Sequence, residues 1–179
     1  MESIPNLHPL LVHYPIALFL AALLFDVACI VMRRLVWLDR AAVALYGLGI
    51  LGAGAAVAAG KFAADQYLSV SSEAKTSIDE HGDWAFFLLI VFIGLALLRF
   101  EVLWRARQEP VLRVTRLRLL ALILAVGGQW LLLETGKRGA ALVYRHGVGV
   151  ARPTGRPPPQ ETPGRRPSEG TSPITREPN

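Results

Sequence analysis

The chain has 179 residues, of which 53% are apolar and 18% charged, and its mean hydropathy is +0.39. A soluble domain carries about 25% charged residues, so this composition excludes an ordinary soluble protein. The net charge of +5 does not indicate nucleic-acid binding, because the basic residues border apolar segments and fill the C-terminal tail. The single cysteine, Cys29, excludes an internal disulfide and a CxxC site.

Four apolar segments are long enough to cross a bilayer as helices. They are residues 10–32, 41–60, 84–103 and 117–133. A bilayer core about 30 Å thick needs about 20 residues of helix, and backbone within lipid must bond internally. The first segment has no basic region before it and is followed by Arg33-Arg34, which indicates a retained span and not a signal peptide. We expect the second helix to continue beyond the membrane to Tyr67.

These segments predict an all-α membrane protein, a four-transmembrane-helix up-down bundle, over residues 1–150. Residues 151–179 form a separate tail. Eight prolines occur among the 28 residues from Arg152 onward, with almost no large apolar side chains. Such a segment cannot bury a core, so we predict a disordered proline-rich tail.

Charge in the connections predicts the orientation. The connections after the first and third spans are rich in arginine, whereas the middle connection is acidic. The charged residues of the two arginine-rich connections are Arg33, Arg34, Asp39, Arg40, Arg105, Arg107, Glu109, Arg113, Arg116 and Arg118. The positive-inside rule places these two connections in the cytoplasm and both termini outside. Lys137, Arg138 and Arg145 oppose this assignment, and we give the two internal connections more weight.

Four histidines fall at one end of the predicted bundle. His8 and His13 stand at the start of the first span, His81 immediately before the third, and His146 after the fourth. An up-down path brings all four to the outer face. Neutral imidazole is the common ligand of haem iron, copper and zinc, and helical bundles build such sites from facing helices. The candidate cofactor ligands are therefore His13, His81, His146 and His8, and a metal ion would use the first three.

Helical geometry ranks these candidates. On a regular helix His8 and His13 point about 140° apart, so we expect His13 to pair with His81 or His146 and place His8 behind them. Haem b is favoured over copper or zinc because no cysteine ligand, methionine cluster or HExxH motif accompanies the histidines. The alternative is that the histidines are structural and bond to water, headgroups or backbone carbonyls.

Several other polar residues lie within the spans. Asp26 and Arg99 stand at comparable depth, which favours a structural ion pair over a functional acid. Gln129 is expected to link helices and not to bind a quinone. Glu134 has two interpretations: it bonds a histidine ligand, or it is an ordinary interfacial carboxylate.

Small residues recur four apart in the second span, at Gly52, Ala56 and Gly60. This stripe predicts close helix packing, with space for a flat cofactor such as a porphyrin as the alternative. The sequence contains no phosphate-binding loop, nucleophile elbow or paired catalytic carboxylates. We therefore do not expect the chain to be an enzyme on its own.

Two motifs carry a family resemblance. They are LHPLLVHYP at residues 7–15 and LVYRHGVGV at residues 142–150, with Thr135-Gly136 before the second and His81 between them. With these motifs the chain resembles the bacterial membrane family catalogued as domain of unknown function 2231 (DUF2231), over roughly residues 5–150.

The resemblance implies a place in respiratory electron transfer, because similar domains are joined to cytochrome c-like or Rieske-like modules. This chain has no CxxCH and no iron–sulfur cysteines, so a periplasmic cytochrome or iron–sulfur protein would be a separate partner. The resemblance also implies the bacterial inner membrane as the location, and the charge of the connections places both termini on its periplasmic side. Lys137 and Arg138 would meet haem propionates or lipid phosphates.

Two other functions stay open at this point. One is a non-catalytic membrane assembly or scaffold subunit, alone or in a homo-oligomer, whose glycine stripe docks a partner span. The other is a copper- or zinc-binding membrane protein.

Overall fold

The computed structural model of this chain is all-α, as predicted. It describes residues 7–32, 35–65, 71–108 and 110–150, with the backbone alone at residues 111–112. The helices are α1 (His8–Leu11), α2 (His13–Val31), α3 (Val36–Asp65), α4 (Ser72–Arg105) and α5 (Val111–His146). In this part of the chain, four helical stretches are long and apolar enough to cross a membrane, α1 and α2 together making the first. The predicted tail and the predicted positions of Arg33, Arg34, Tyr67 and Glu109 lie outside the described residues.

The third and fourth membrane helices are longer than their apolar segments. The Ser71 side chain caps α4 by accepting a hydrogen bond from the Ala74 amide at 3.3 Å, so this helix begins well before the apolar segment. The α5 helix continues to His146 and ends at Gly147. Hydropathy marks only the membrane crossing and not the polar turns beyond it. The α4 helix therefore already includes His81, which stands just before the apolar segment.

The helices close into a four-membered ring. The α2 helix packs against α3 and α5, α4 packs against the same two neighbours, and α1 lies on α3. At the centre the Phe19 and Phe92 rings stack, with centroids 3.7 Å apart. Gly49 and Gly128 make room for these rings, because a Cβ at either position would collide with the facing phenyl group. The middle of the bundle is thus an aromatic layer.

A buried ionic network lies below this layer, at the end of the bundle where α2 joins α3. The Arg99 Nε lies 2.8 Å from Asp26 Oδ1, and its Nη2 lies 3.3 Å from Asp39 Oδ1. Arg118 pairs with the same Asp39 carboxylate, and the Tyr46 hydroxyl donates to Asp26 at 2.6 Å. The predicted Asp26–Arg99 pair is confirmed, and the structure places it within a larger set of partners.

The network changes which charged residues belong to the connections between helices. Asp39 and Arg118 are buried inside α3 and α5 and do not lie in loops, because both helices begin several residues earlier than their apolar segments. Arg40, Arg107 and Arg113 remain exposed at this end of the bundle, so its basic character persists.

Candidate functional site

The opposite end of the bundle contains a cleft of about 860 Å³. Its walls come from α1, α3, α4, α5 and the turn that follows α5. Small and apolar side chains form most of the surface. The residues that line it include His8, Pro9, Gly60, Lys61, Asp79, His81, Asp83, Gly139, Leu142, Val143, Val148 and Gly149.

His8 projects from α1 towards α3. Its Nδ1 donates a hydrogen bond to the Ala56 carbonyl at 2.7 Å. Because a carbonyl oxygen only accepts, Nδ1 carries the proton, and the lone pair of the neutral ring is on Nε2. A Cβ added at Gly60 would lie 3.1 Å from both Cε1 and Nδ1 of this ring. The small residues of α3 thus provide the hydrogen bond and the space that hold His8 in the cleft.

His81 projects from α4 into the same cleft. Its ring centroid lies 6.1 Å from that of His8, and the two ring planes are 82° apart. A Cβ added at Gly139 of α5 would lie 3.1 Å from its Cε1. The Nδ1 atom is buried and has no hydrogen-bond partner among the described residues. The Thr135 backbone is a hydrogen-bond partner of the same ring, so Nδ1 is the His81 nitrogen that a ligand would use.

The spacing of the two rings matches a specific chemistry. A bond from a metal ion to an imidazole nitrogen is about 2 Å long, so two rings on opposite sides of one ion have centroids about 6 Å apart. The His8–His81 pair has that separation. Among the residues that the structure describes, no three His, Cys, Asp or Glu side chains come together as a metal-binding group. His8 and His81 are the two imidazoles that line this site.

The other two histidines lie elsewhere. The exposed His13 ring donates from Nδ1 to the Pro9 carbonyl at 2.7 Å, within the turn that joins α1 to α2. His146 Nε2 lies 3.2 Å from the Ser77 Oγ, which ties the end of α5 to α4. The structure brings His8 next to His81, whereas His13 is exposed.

The charged groups of the cleft differ from those expected. Lys61 lies on the α3 wall, and Asp79 and Asp83 lie on the α4 wall one helical turn apart. Lys137 and Arg138, expected near a cofactor, are not among the residues that line it.

Glu134 accounts for the position of these two cations. Its carboxylate pairs with the Lys137 Nζ at 3.2 Å and with the Arg138 Nη1 at 2.8 Å. The Arg138 guanidinium also lies 3.9 Å from the centre of the Trp84 ring, a cation–π contact. Glu134 therefore has the contacts of an interfacial carboxylate. Its alternative partner, a histidine, is not among its contacts in the part of the chain that the structure describes.

Both end motifs converge on the cleft. The first supplies His8 and Pro9, and the second supplies Leu142, Val143, Val148 and Gly149. After α5 the chain reverses at Gly147, where φ is 63°, and the Val148 amide donates to the Leu142 carbonyl at 3.1 Å. This helix-ending turn places Val148 and Gly149 on the cleft wall. The residues on which the family resemblance rests thus surround one site.

The glycine stripe of α3 is an internal surface. A Cβ at Gly52 would lie 3.3 Å from Pro15 Cδ, and Gly60 contacts His8. The packing interpretation is confirmed. These contacts come from the chain's own α1 and α2, and the docking of a partner span stays a prediction.

Gln129 behaves as a link between helices, as predicted. Its Nε2 donates to the Phe19 carbonyl at 3.0 Å and so connects α5 to α2.

Comparison with known proteins gives one match. No curated protein and no solved structure matches the chain. The model of the family described as "Predicted membrane protein (DUF2231)" matches residues 4–152, a range that includes every residue of the cleft. The resemblance of the two end motifs is thereby confirmed: the chain belongs to the DUF2231 family of predicted membrane proteins.

Proposed function

We propose that this integral membrane protein binds haem b in the cleft through His8 and His81, and takes part in respiratory electron transfer. The observation that carries the proposal is the pair of neighbouring imidazoles at the end of a membrane bundle, with ring centroids 6.1 Å apart. Bound haem supplies one-electron chemistry at its iron. The protein's part is to provide the two ligands, orient them and exclude competing groups.

The residues of the cleft fit a haem group in three respects. A bis-imidazole haem needs two protein ligands, which is the number that the described site provides. The volume of about 860 Å³ lies in the range of cofactor sites. Lys61 supplies a cation on one wall for the propionate carboxylates.

The same features argue against copper or zinc as the principal ligand. A protein zinc site uses three or four side chains, and copper electron-transfer sites combine histidine with cysteine. The only cysteine, Cys29, lies by the ionic network, with its Sγ 3.4 Å from the Arg99 Nη2. His13 and His146 are not among the residues that line the cleft, and each has a hydrogen-bond partner of its own.

We further propose that the cleft opens to the periplasm from a bacterial inner membrane. The exposed arginines at the opposite end favour the cytoplasm under the positive-inside rule, which places both termini outside. Exposed Asp79, Glu80 and Asp83 border the cleft on α4. This acidic edge suits a basic face on a separate soluble electron carrier, a periplasmic cytochrome or iron–sulfur protein.

Optical spectroscopy tests the proposal. The full chain, purified in detergent from haem-replete bacterial membranes, is expected to show a Soret band and a sharp reduced α band with one haem per chain. His8→Ala or His81→Ala should abolish the low-spin spectrum. The matched control is His13→Ala, which removes an exposed histidine at the same end of the bundle and should leave the spectrum unchanged.

Elemental analysis of the same preparations defines the results that overturn the proposal. A colourless protein with one copper or zinc per chain would assign a different ligand. A colourless, metal-free protein that loses stability or fails to assemble when His8 and His81 are replaced would assign these histidines a structural role.

A further inference from the structure

We infer that Gly60 and Gly139 are positioning residues that set the orientation of the two histidine rings. Each glycine provides a flat backbone surface against which one imidazole lies, and together they hold the ring planes close to perpendicular. The spectroscopic part of this inference rests on the proposed haem function. The ring contacts themselves do not.

The first contact is between α3 and His8. A Cβ at Gly60 would lie 3.1 Å from Cε1, 3.1 Å from Nδ1 and 3.8 Å from Cγ of the ring. Three ring atoms at similar distances mean that the ring lies flat over the glycine. The Ala56 carbonyl, one turn earlier on α3, accepts the Nδ1 hydrogen bond and fixes rotation within that plane.

The second contact repeats this arrangement between α5 and His81. A Cβ at Gly139 would lie 3.1, 3.5 and 3.6 Å from Cε1, Nε2 and Nδ1. The glycine therefore faces the plane of the ring and not its edge. Each histidine thus lies on a glycine of a neighbouring helix, and the two contacts leave the planes 82° apart.

A glycine inside a helix is less favourable than alanine by about 0.5–1 kcal/mol, so a glycine that makes room for a ring has a specific packing role. The same helices provide matched controls. Gly54 on α3 and Gly136 on α5 have no atom within 4 Å of the Cβ that alanine would add. Alanine at these two positions changes the helix but not the ring contacts.

Ring orientation has a measurable electronic consequence. In a ferric haem with two axial imidazoles, the angle between the ring planes sets the splitting of the iron d orbitals. Near-perpendicular planes give a highly anisotropic low-spin signal with one large g value, whereas near-parallel planes give a rhombic signal. Groups that orient the ligands thereby tune the metal.

Low-temperature electron paramagnetic resonance of the ferric, haem-loaded full chain tests the inference. The unsubstituted protein is expected to give the highly anisotropic signal. Gly60→Ala and Gly139→Ala should each lose that signal in favour of a rhombic or high-spin one and shift the midpoint potential. Gly54→Ala and Gly136→Ala should match the unsubstituted protein. A rhombic signal from the unsubstituted protein, or no difference between the two pairs, would overturn the inference.

A second measurement does not depend on haem. In the haem-free protein labelled with ¹⁵N-histidine, Gly60→Ala should shift the His8 ring resonances and Gly139→Ala those of His81, with neither control shifting them. Ring resonances unchanged in both variants would overturn the contacts themselves. A chain that binds no haem but shows these shifts would refute the proposed function and leave the positioning role of the glycines supported.

Discussion

Arg99 of α4 and Asp26 of α2 form an ion pair in which both side chains are 1% exposed. The helices α2 and α3 form a first helical hairpin, and α4 and α5 form a second. The other two members of the network follow the same division, since Asp39 belongs to the first hairpin and Arg118 to the second. The first hairpin therefore contributes two acids and the second two arginines. Charge complementarity joins the two halves of the bundle at this end.

Removal of one partner should destabilise the bundle strongly. Asp26→Asn leaves two arginines facing a single carboxylate, and loss of one member of a buried pair costs about 3–5 kcal/mol. The double variant Asp26→Asn with Arg99→Met retains the Asp39–Arg118 pair and should recover most of that loss. Thermal unfolding in detergent measures both variants. Arg105→Ala, which breaks the exposed pair with Glu101, is the control and should change stability by about 0–1 kcal/mol. Equal stability of the Asp26→Asn and Arg105→Ala variants would contradict this account.

The aromatic layer predicts a large packing effect. Phe19 is fully buried against Phe92, so Phe19→Ala should lower the free energy of unfolding by about 3–5 kcal/mol. Phe86→Ala removes a phenylalanine that is 53% exposed and is the matched control. The same unfolding assay compares them. A loss for Phe86→Ala as large as that for Phe19→Ala would show that the layer is not the centre of packing.

Lys61 is the residue expected to bind the haem propionates. Lys61→Met should weaken haem binding about ten-fold, the effect of one charge-assisted contact. With haem dimethyl ester, which lacks the two carboxylate charges, the same substitution should have no effect. Lys137→Met is the control, because Lys137 pairs with Glu134 outside the cleft. Equal losses with haem and with its ester would exclude a propionate contact.

The turn after α5 should require glycine. At Gly147 φ is 63°, a left-handed conformation that costs a residue with a Cβ about 1–2 kcal/mol. Gly147→Ala is therefore expected to lower stability and speed haem release, because the turn holds Val148 and Gly149 against the cleft. Gly147→Asn, which tolerates this conformation, should behave nearly as the unsubstituted protein. Identical release rates for the alanine and asparagine variants would remove the turn from the site.

Cysteine labelling tests the orientation. The native Cys29 is buried and is expected not to react with a membrane-impermeant maleimide, which makes the unsubstituted chain its own control. In intact cells with the outer membrane permeabilised, Lys75→Cys should be labelled and Arg107→Cys should not. The reverse pattern would place the cleft on the cytoplasmic side.

Hydropathy was sufficient to predict the four membrane helices, because about 20 apolar residues in lipid have few alternatives. It was insufficient for helix ends: the polar residues from Ser72 to Asp83 form helix through a serine cap and not through hydrophobicity. The Asp26–Arg99 pair was predictable from equal depth in opposing helices. Its extension to Asp39 was not, because residues near helix ends were counted as loop charges.

The pairing of His8 with His81 also could not be predicted from the sequence. The predicted angular offset from His13 says nothing about which of the two rings lies against the bundle. That choice depends on Ala56 and Gly60 of a different helix, which supply a carbonyl acceptor and an open surface. One feature of the sequence could have indicated this pairing: the glycine stripe of the second span extends to the outer face, where the first helix begins.

The residues that line the cleft come from both the start and the end of the sequence of the membrane domain, from His8 in the first helix to Gly149 after the last. During synthesis these residues are separated by every intervening helix, so no partial chain contains the complete site. A ligand of this cleft can be captured only after all four spans have been inserted and joined. Loss of either the first helix or the turn after the last one would therefore remove part of the cleft wall.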